Sequence, residues 1–297
     1  MTGHIENTLE FELCADDETV LFVRDWPLLA ANQIDSTSPV QGVLIMHGLG
    51  EHGGRYAHVA RFFNALGFVV RTYDHRGHGQ SGGNPGDVPD DNAMLRDAEL
   101  VLNDFRRQLD GPPILFGHSM GGLFAARFAV TALAPIQALI LSSPALAIYM
   151  SGLQHSFLRI ATGLFPGLAI PNGLKTRFLS HDAEVVHAYK NDRLVHSKIS
   201  ARLLNSMLAA IDFSLQHAQD IKIPILLLAA LDDHLVDPEG SKRFLNLCNN
   251  QWITAHFYPD FYHEIFNELD ATDVFDDVRT WLEVQHLSPP EPAQKIA

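Results

Sequence analysis

Basic residues are scarce in this chain of 297 residues. It has 21 Lys and Arg against 35 Asp and Glu, which gives a formal net charge of −14. Proteins that bind nucleic acid present basic surfaces, and anionic membranes attract basic segments. The composition therefore argues against nucleic-acid partners and against electrostatic docking on lipid.

Cysteines and long apolar runs are scarce as well. The two cysteines, Cys14 and Cys248, form no C-x-x-C motif, so we expect reduced thiols rather than a disulfide framework. No stretch approaches the roughly eighteen apolar residues of a membrane-spanning helix. Residues 1–17 lack the basic start and apolar run of a signal peptide. We therefore expect a cytoplasmic protein, with peripheral membrane contact as an alternative.

Short apolar runs alternate with helical patterns along most of the chain, which predicts an α/β fold with a mostly parallel sheet flanked by helices on both faces. Between residues 144 and 219 the pattern is helical, with no convincing buried strand. We therefore predict a core of residues 1–143 and 220–287, a helical lid insertion of residues 144–219, and a disordered tail of residues 288–297. The predicted strands span residues 8–14, 19–25, 43–46, 68–73, 113–116, 138–141, 223–228 and 254–258.

The most informative motif is Gly117-His118-Ser119-Met120-Gly121, which fits the pattern G-x-S-x-G. It lies between a predicted strand and a predicted helix, as a nucleophile elbow requires. Such a turn lifts the serine hydroxyl clear of the sheet, and the glycines leave room for neighbouring backbone. We predict that Ser119 is a nucleophile.

A serine hydroxyl needs a base to take its proton and an acid to orient that base. In this type of sheet the acid and the histidine follow the serine in that chain order, just past later strands. Residues 232–237 contain three aspartates after one predicted strand, and His263 follows the last one. An oxyanion hole would take backbone N–H groups from Met120 and from Leu49, which lies in a glycine-rich loop.

Five blocks of sequence make the chain resemble the α/β-hydrolase superfamily, and within it the monoglyceride lipase and lysophospholipase group. The resemblance runs from about residue 10 to residue 285 and includes part of the predicted lid, residues 179–192. It implies a lid-bearing serine esterase without a cofactor or metal, in which Asp233 completes the Ser119–His263 triad. Glu51 and Arg55 correspond to residues that, in this family, belong to the polar-head region near the oxyanion loop. The blocks are residues 47–56, 74–82, 117–122, 233–236 and 262–264.

Competing roles remain for several of these residues. Asp232, Asp237 and Asp260 lie near Asp233; we interpret Asp237 as a helix cap and Asp260 as a turn residue. Glu51 and Arg55 are equally compatible with a structural ion pair. His263-Glu264 opens no zinc-binding H-E-x-x-H motif.

The lid is rich in apolar residues, and we predict that some of them line an acyl tunnel while others pack on the core or touch a membrane or micelle transiently. The residues selected for the tunnel are Leu153, Phe157 and Leu164.

The predicted activity is hydrolysis of carboxylic esters of single-chain lipids, above all monoacylglycerols. A lysophospholipase or a general carboxylesterase would use the same chemistry on a different alcohol. A serine aminopeptidase or amidase would need a carboxylate in the lid to hold the substrate amine. A non-catalytic receptor on this fold would have a broken triad, whereas this sequence supplies all three residue types.

Overall fold

The computed structural model describes residues 8–28, 39–150 and 152–289, except for the side chains of residues 153–157 and 159. Its main feature is an eight-stranded sheet in the order β1-β2-β4-β3-β5-β6-β9-β10. The β1–β2 and β2–β4 pairs are antiparallel, and the other pairs are parallel. The predicted α/β-hydrolase fold is confirmed. The strands are β1 Leu9–Cys14, β2 Val20–Trp26, β3 Gly42–Met46, β4 Val69–Tyr73, β5 Ile114–His118, β6 Ala138–Ser142, β7 Ala169–Pro171, β8 Lys198–Ser200, β9 Ile225–Ala230 and β10 Ile253–Tyr258.

Both faces of the sheet are covered because the central strands are apolar on both sides. In β3, Val43 and Ile45 join the core formed with α1 and α8. Leu44 and Met46 join the core on the other face with α2, α3, α6 and α7. Alternate residues of a strand point to opposite faces, so one apolar run serves two cores. The helices are α1 Ala57–Ala65, α2 Ala93–Phe105, α3 Met120–Thr131, α4 Gly152–Leu164, α5 Ala183–Asn191, α6 Ala201–Gln216, α7 Glu239–Leu247 and α8 Thr272–Val284.

The segment between β6 and β9, which we call the insertion, contains α4, β7, α5, β8 and α6. The insertion is not wholly helical, because β7 and β8 form an antiparallel pair with Ala169 opposite Ser200. Each strand has three residues, which is too short for an alternating pattern to be recognised in sequence. Helix α6 packs against α3 and adds Leu203 and Met207 to the core.

The two ends of the chain are described only in part. The predicted disordered tail lies outside the described residues from residue 290 onward. Within the described ranges, no helix is both long enough and apolar enough to cross a membrane. Cys14 is exposed and Cys248 is buried, and both are free thiols.

The parallel strands determine where functional residues meet. Strands β3, β5, β9 and β10 all point their carboxyl ends to the same edge of the sheet. Ligands of such sheets bind outside that edge. The loops that follow these four strands carry the predicted oxyanion residue, nucleophile, acid and base.

Candidate active site

Ser119 lies at a sharp turn between β5 and α3. Its backbone has φ 54° and ψ −118°, a strained conformation for a residue with a side chain. Three backbone hydrogen bonds hold it there: the Ser119 N–H donates to Ser142 O at 3.0 Å, and the Ser119 carbonyl accepts from Leu123 N and Ala145 N, each at 3.0 Å. A Cβ on Gly117 would lie 2.5 Å from the carbonyl oxygen of Gly121, so the turn requires glycine there.

His263 connects Ser119 to Asp233. Its Nε2 lies 2.8 Å from Ser119 Oγ, and its Nδ1 lies 2.6 Å from Asp233 Oδ2. The other carboxylate oxygen of Asp233 accepts from the N–H groups of Leu235 at 2.8 Å and Val236 at 2.9 Å. The structure thus brings the three predicted triad residues into one hydrogen-bonded line, although Ser119 and His263 are 144 residues apart in sequence.

The electrostatics of this line suit proton transfer. Burial by itself would lower the pKa of His263, but the adjacent Asp233 carboxylate raises it above its usual value. Burial would raise the pKa of Asp233, but His263 and the two backbone N–H donors lower it. An aspartate that stays ionised stabilises an imidazolium as it forms.

The neighbouring aspartates are placed differently. Asp232 pairs with His234 Nε2 at 3.0 Å in a setting where both side chains are about half exposed. Asp237 Oδ1 accepts from Glu239 N at 3.0 Å. We expected Asp237 to be the N-cap of α7, but the N-cap is the next residue, Pro238. Asp260 is exposed. Within the described residues, only Asp233 among these four bonds to His263.

Leu49 and Met120 line the same cavity as Ser119. The loop after β3 comes so close that a Cβ on Gly48 would be 3.3 Å from Ser119 Cβ. Leu49 follows in this loop, and its N–H has no hydrogen-bond partner within the described residues. Met120 is the first residue of α3, whose initial N–H groups have no partner within the helix. These are the two predicted oxyanion residues.

Glu51 and Arg55 belong to a buried ion network. Arg55 donates to Glu264 Oε1 and Oε2 at 2.8 Å each and also to Glu51 Oε2. Glu51 Oε1 accepts from Gly48 N and from Tyr56 Oη, each at 2.6 Å. Burial would lower the pKa of Arg55, but the two carboxylates raise it. The network joins the oxyanion loop to the residue after His263.

A cavity of about 730 Å³ opens onto Ser119 and lies beneath the insertion. Glu51 and Leu164, two of the predicted substrate-binding residues, are on its described wall. Arg55 is not among the described wall residues and instead bonds to Glu51 and Glu264. The predicted tunnel residues Leu153 and Phe157 have side chains outside the described part. Most of the wall is apolar and includes Ile148, Leu158, Ala161, Leu168, Ile199, Leu204, Met207 and Val236.

Sequence reasoning did not select His118, Tyr189 and Met207, which also line the cavity. Burial and the neighbouring His263 lower the pKa of His118 to about 4, so its ring stays neutral beside the base. Tyr189 packs its ring over the Arg55 guanidinium at 4.7 Å. Tyr189 lies in residues 179–192, the part of the predicted lid that shares the family resemblance, and His118 lies in the G-x-S-x-G motif, which were the available signals, whereas Met207 lies in an ordinary amphipathic helix.

The residues that the structure describes contain no group of three or more His, Cys, Asp and Glu side chains arranged to hold a metal ion. The groups present can perform acyl transfer: a hydroxyl, a base in contact with it, and N–H donors for an oxyanion.

Comparisons with known proteins identify relatives that are also hydrolases. The family model described as serine aminopeptidase S33 matches residues 37–270. A monoacylglycerol lipase of Mycolicibacterium smegmatis is 34% identical over 262 residues, which are 84% of this chain and 90% of that protein. The crystal structure of the Paleococcus ferrophilus monoacylglycerol lipase is 32% identical, with a TM-score of 0.76 over 84% of this chain and 97% of that one.

A third relative is longer. Over 95% of its length the chain is 32% identical to an abhydrolase domain-containing protein of Dictyostelium discoideum, and it spans 29% of that protein.

Substitution of the three aspartates distinguishes their roles. Asp233→Asn should lower kcat by about four orders of magnitude, because an amide fails to hold the imidazole in the productive tautomer. Asp232→Asn should stay within about tenfold of the wild type, since its half-exposed carboxylate pairs with His234 and not with His263. Asp237→Ala should mainly lower the Tm, by the amount that the loss of about 1 kcal/mol at a helix start implies. Kinetics and thermal melts measure all three, and an inactive Asp232→Asn beside an active Asp233→Asn would overturn the assignment.

Proposed function

Since this chain belongs to the α/β-hydrolases of the serine aminopeptidase S33 family, and is a carboxylic ester hydrolase similar to monoacylglycerol lipases, we propose that it hydrolyses monoacylglycerols through Ser119, His263 and Asp233. The observation that carries the proposal is the hydrogen-bonded line of these three residues, which opens onto a largely apolar cavity.

The first half of the reaction acylates the serine. Ser119 Oγ attacks the ester carbonyl carbon while His263 Nε2 takes its proton across the 2.8 Å contact. The carbonyl oxygen becomes negative and is stabilised by the N–H groups of Leu49 and Met120. The C–O bond to the alcohol then breaks, and His263 returns its proton to the departing oxygen.

The second half regenerates the enzyme. Water gives a proton to His263 as it attacks the acyl carbon, the same N–H groups stabilise the second oxyanion, and Ser119 recovers its proton as the fatty acid leaves. Asp233 stays ionised throughout, because its pKa is lowered by His263 and by two backbone donors. Apart from the ester and one water molecule, every reacting group belongs to the chain.

The cavity favours an ester with one long acyl chain and a small polar alcohol. Its volume of about 730 Å³ and its apolar wall suit an alkyl chain. Three polar residues on the wall, Glu51, Tyr189 and Glu264, surround Arg55 between the oxyanion loop and His263. A hydroxylated leaving group placed there would find hydrogen-bonding partners, whereas the acyl chain would contact apolar side chains.

An aminopeptidase activity has less support. Such an enzyme would need an ionised carboxylate available to a substrate ammonium group. Glu51 and Glu264 are the two acidic residues on the described cavity wall, and both bond to the Arg55 guanidinium. Because one buried cation already neutralises much of their charge, the wall lacks a free carboxylate for an amine.

The rim of the cavity supports transient contact of the insertion with a lipid surface. Exposed large apolar side chains cluster on α4 and just after it, and several of them exceed 60% exposure. They are Ile160, Leu164, Phe165 and Leu168. A surface of this kind can enter a lipid interface without basic residues, which suits a chain of net charge −14.

A substrate panel tests the proposed activity. We expect kcat/KM to be higher for 1-monoacylglycerols than for lysophospholipids and negligible for aminoacyl amides. With acyl length, kcat/KM should rise by about fourfold per methylene until the cavity is full, since each buried methylene gains about 0.8 kcal/mol. A flat length profile would contradict the cavity as the acyl site, and faster cleavage of the amides would contradict the ester proposal.

Vesicle binding tests the proposed role of the rim. Phe165→Glu should lower binding to phosphatidylcholine vesicles by about tenfold or more, because a buried phenyl ring contributes at least 1.5 kcal/mol. Co-sedimentation measures the bound fraction directly, without reference to turnover. The matched control is Val284→Glu, another exposed apolar side chain, at the end of α8. Equal binding by both variants and the wild type would exclude this contact.

A further inference from the structure

The loop that carries His263 is bonded to the insertion as well as to the core. His263 N–H donates to Phe178 O at 3.4 Å, and Glu264 N–H donates to Leu179 O at 2.8 Å. Residues 178–181, which we call the clamp segment, therefore run alongside the histidine loop. The main chain of the proposed base is held partly by the insertion.

Glu268 joins the two sides of this contact. Its side chain is 3% exposed. Its Oε1 accepts from Tyr262 N at 2.7 Å and lies 2.9 Å from His181 Nδ1, and its Oε2 accepts from His181 N at 3.1 Å. Tyr262 immediately precedes His263, and His181 belongs to the clamp segment. One buried carboxylate thus fixes the backbone on both sides.

Aromatic rings extend the same contact to the loop of the acid. The His181 ring stacks on Tyr262 with centroids 3.7 Å apart. The Phe178 ring stacks on His234 at 4.1 Å, and His234 is the residue after Asp233. Phe178 also meets Tyr262 edge-on at 5.5 Å. The clamp segment therefore touches the neighbours of both His263 and Asp233.

We propose that Glu268 is a positioning residue for the reaction: it fixes the His263 loop against the clamp segment and so sets the His263–Ser119 and His263–Asp233 distances. This inference rests on the proposed role of His263 as the base. Glu268 does not line the described cavity wall, so it acts through the backbone and not on the substrate. A misplacement of about 1 Å in such a site costs roughly 100-fold in rate.

A purely structural role makes a different prediction. Glu268 lies just before α8, so it would then only anchor that helix, and its loss would lower stability and leave the chemistry unchanged. The contacts favour positioning because all three side-chain hydrogen bonds of Glu268 go to the histidine loop or the clamp segment. Its bond toward α8 is made by the main-chain carbonyl, which accepts from the N–H of Ala271 at 3.3 Å and which a change of side chain leaves in place.

Glu268→Gln tests the proposal with p-nitrophenyl butyrate, a small ester that makes little demand on the acyl cavity. An amide keeps one acceptor for Tyr262 N–H but turns an NH₂ group toward the His181 N–H, so the contact opens. We expect kcat to fall by about 10- to 100-fold with little change in KM. Thermal melts report whether the variant stays folded.

The pH profile separates positioning from stability. Asp233 raises the pKa of His263, so a ring displaced from Asp233 should shift the acid limb of kcat/KM to lower pH. The other ionisable groups around the ring, namely His118, Glu51 and Glu264, are unchanged by this substitution. A loss of stability alone leaves that limb in place.

The matched control is Asp277→Asn. Asp277 is a carboxylate on α8 that accepts from Tyr258 Oη at 2.7 Å and pairs with His256 at 3.2 Å, so within the described residues its polar contacts go to β10 and not to the clamp segment or the backbone beside His263. The Asp277→Asn substitution should lower the Tm and leave kcat and the acid limb of kcat/KM unchanged. If Glu268→Gln behaves like this control, the positioning role is wrong.

Two further variants keep the outcome decisive. If Glu268→Gln fails to fold, His181→Ala removes the side-chain partner on the insertion, and we expect a smaller fall in kcat with the same direction of pH shift. An unchanged His181→Ala would overturn the proposal. Ester hydrolysis that survives in Ser119→Ala would instead overturn the proposed function, so the two failures are distinguishable.

Discussion

The strained backbone of Ser119 is the constraint on which the rest of the site depends. A positive φ at a residue with a side chain costs about 1–3 kcal/mol and persists only when its surroundings enforce it. Here the last residue of β6, the first turn of α3 and the segment after β6 enforce it through backbone hydrogen bonds to Ser119. The turn places the hydroxyl above the carboxyl edge of a parallel sheet, where the loops after β3, β9 and β10 also begin.

The insertion contributes to this edge in two ways. Its apolar side chains form most of the wall of the cavity above Ser119. Its residues 178–181 bond to the loop that carries His263. Beneath it, Arg55 bridges Glu51 on the oxyanion loop and Glu264 beside the histidine. The proposed oxyanion donors and the proposed base are thus held by a connected set of buried polar contacts, while the proposed acyl site is formed by apolar packing.

Much of this was predictable because it is local in sequence. The apolar runs predicted the central strands within a few residues, and G-x-S-x-G between strand and helix predicted the position of Ser119. Chain order and the family resemblance selected Asp233 and His263, which the structure brings into contact. The rest depends on contacts between distant residues. Arg55 and Glu264 are 209 residues apart, and no local pattern pairs them. Strands β7 and β8 are too short to show alternation. Glu268 is one of several acidic residues in its stretch of sequence, and no local pattern distinguishes it from the others.

The central claim is that Ser119 is the nucleophile. Treatment with a fluorophosphonate probe, followed by digestion and mass spectrometry of the peptides, tests it most directly, because the probe bonds to an activated serine hydroxyl. The account predicts one modified residue, Ser119, and no labelling of the Ser119→Ala variant under the same conditions. Modification of a different residue in the wild type, or undiminished labelling of the variant, would contradict it.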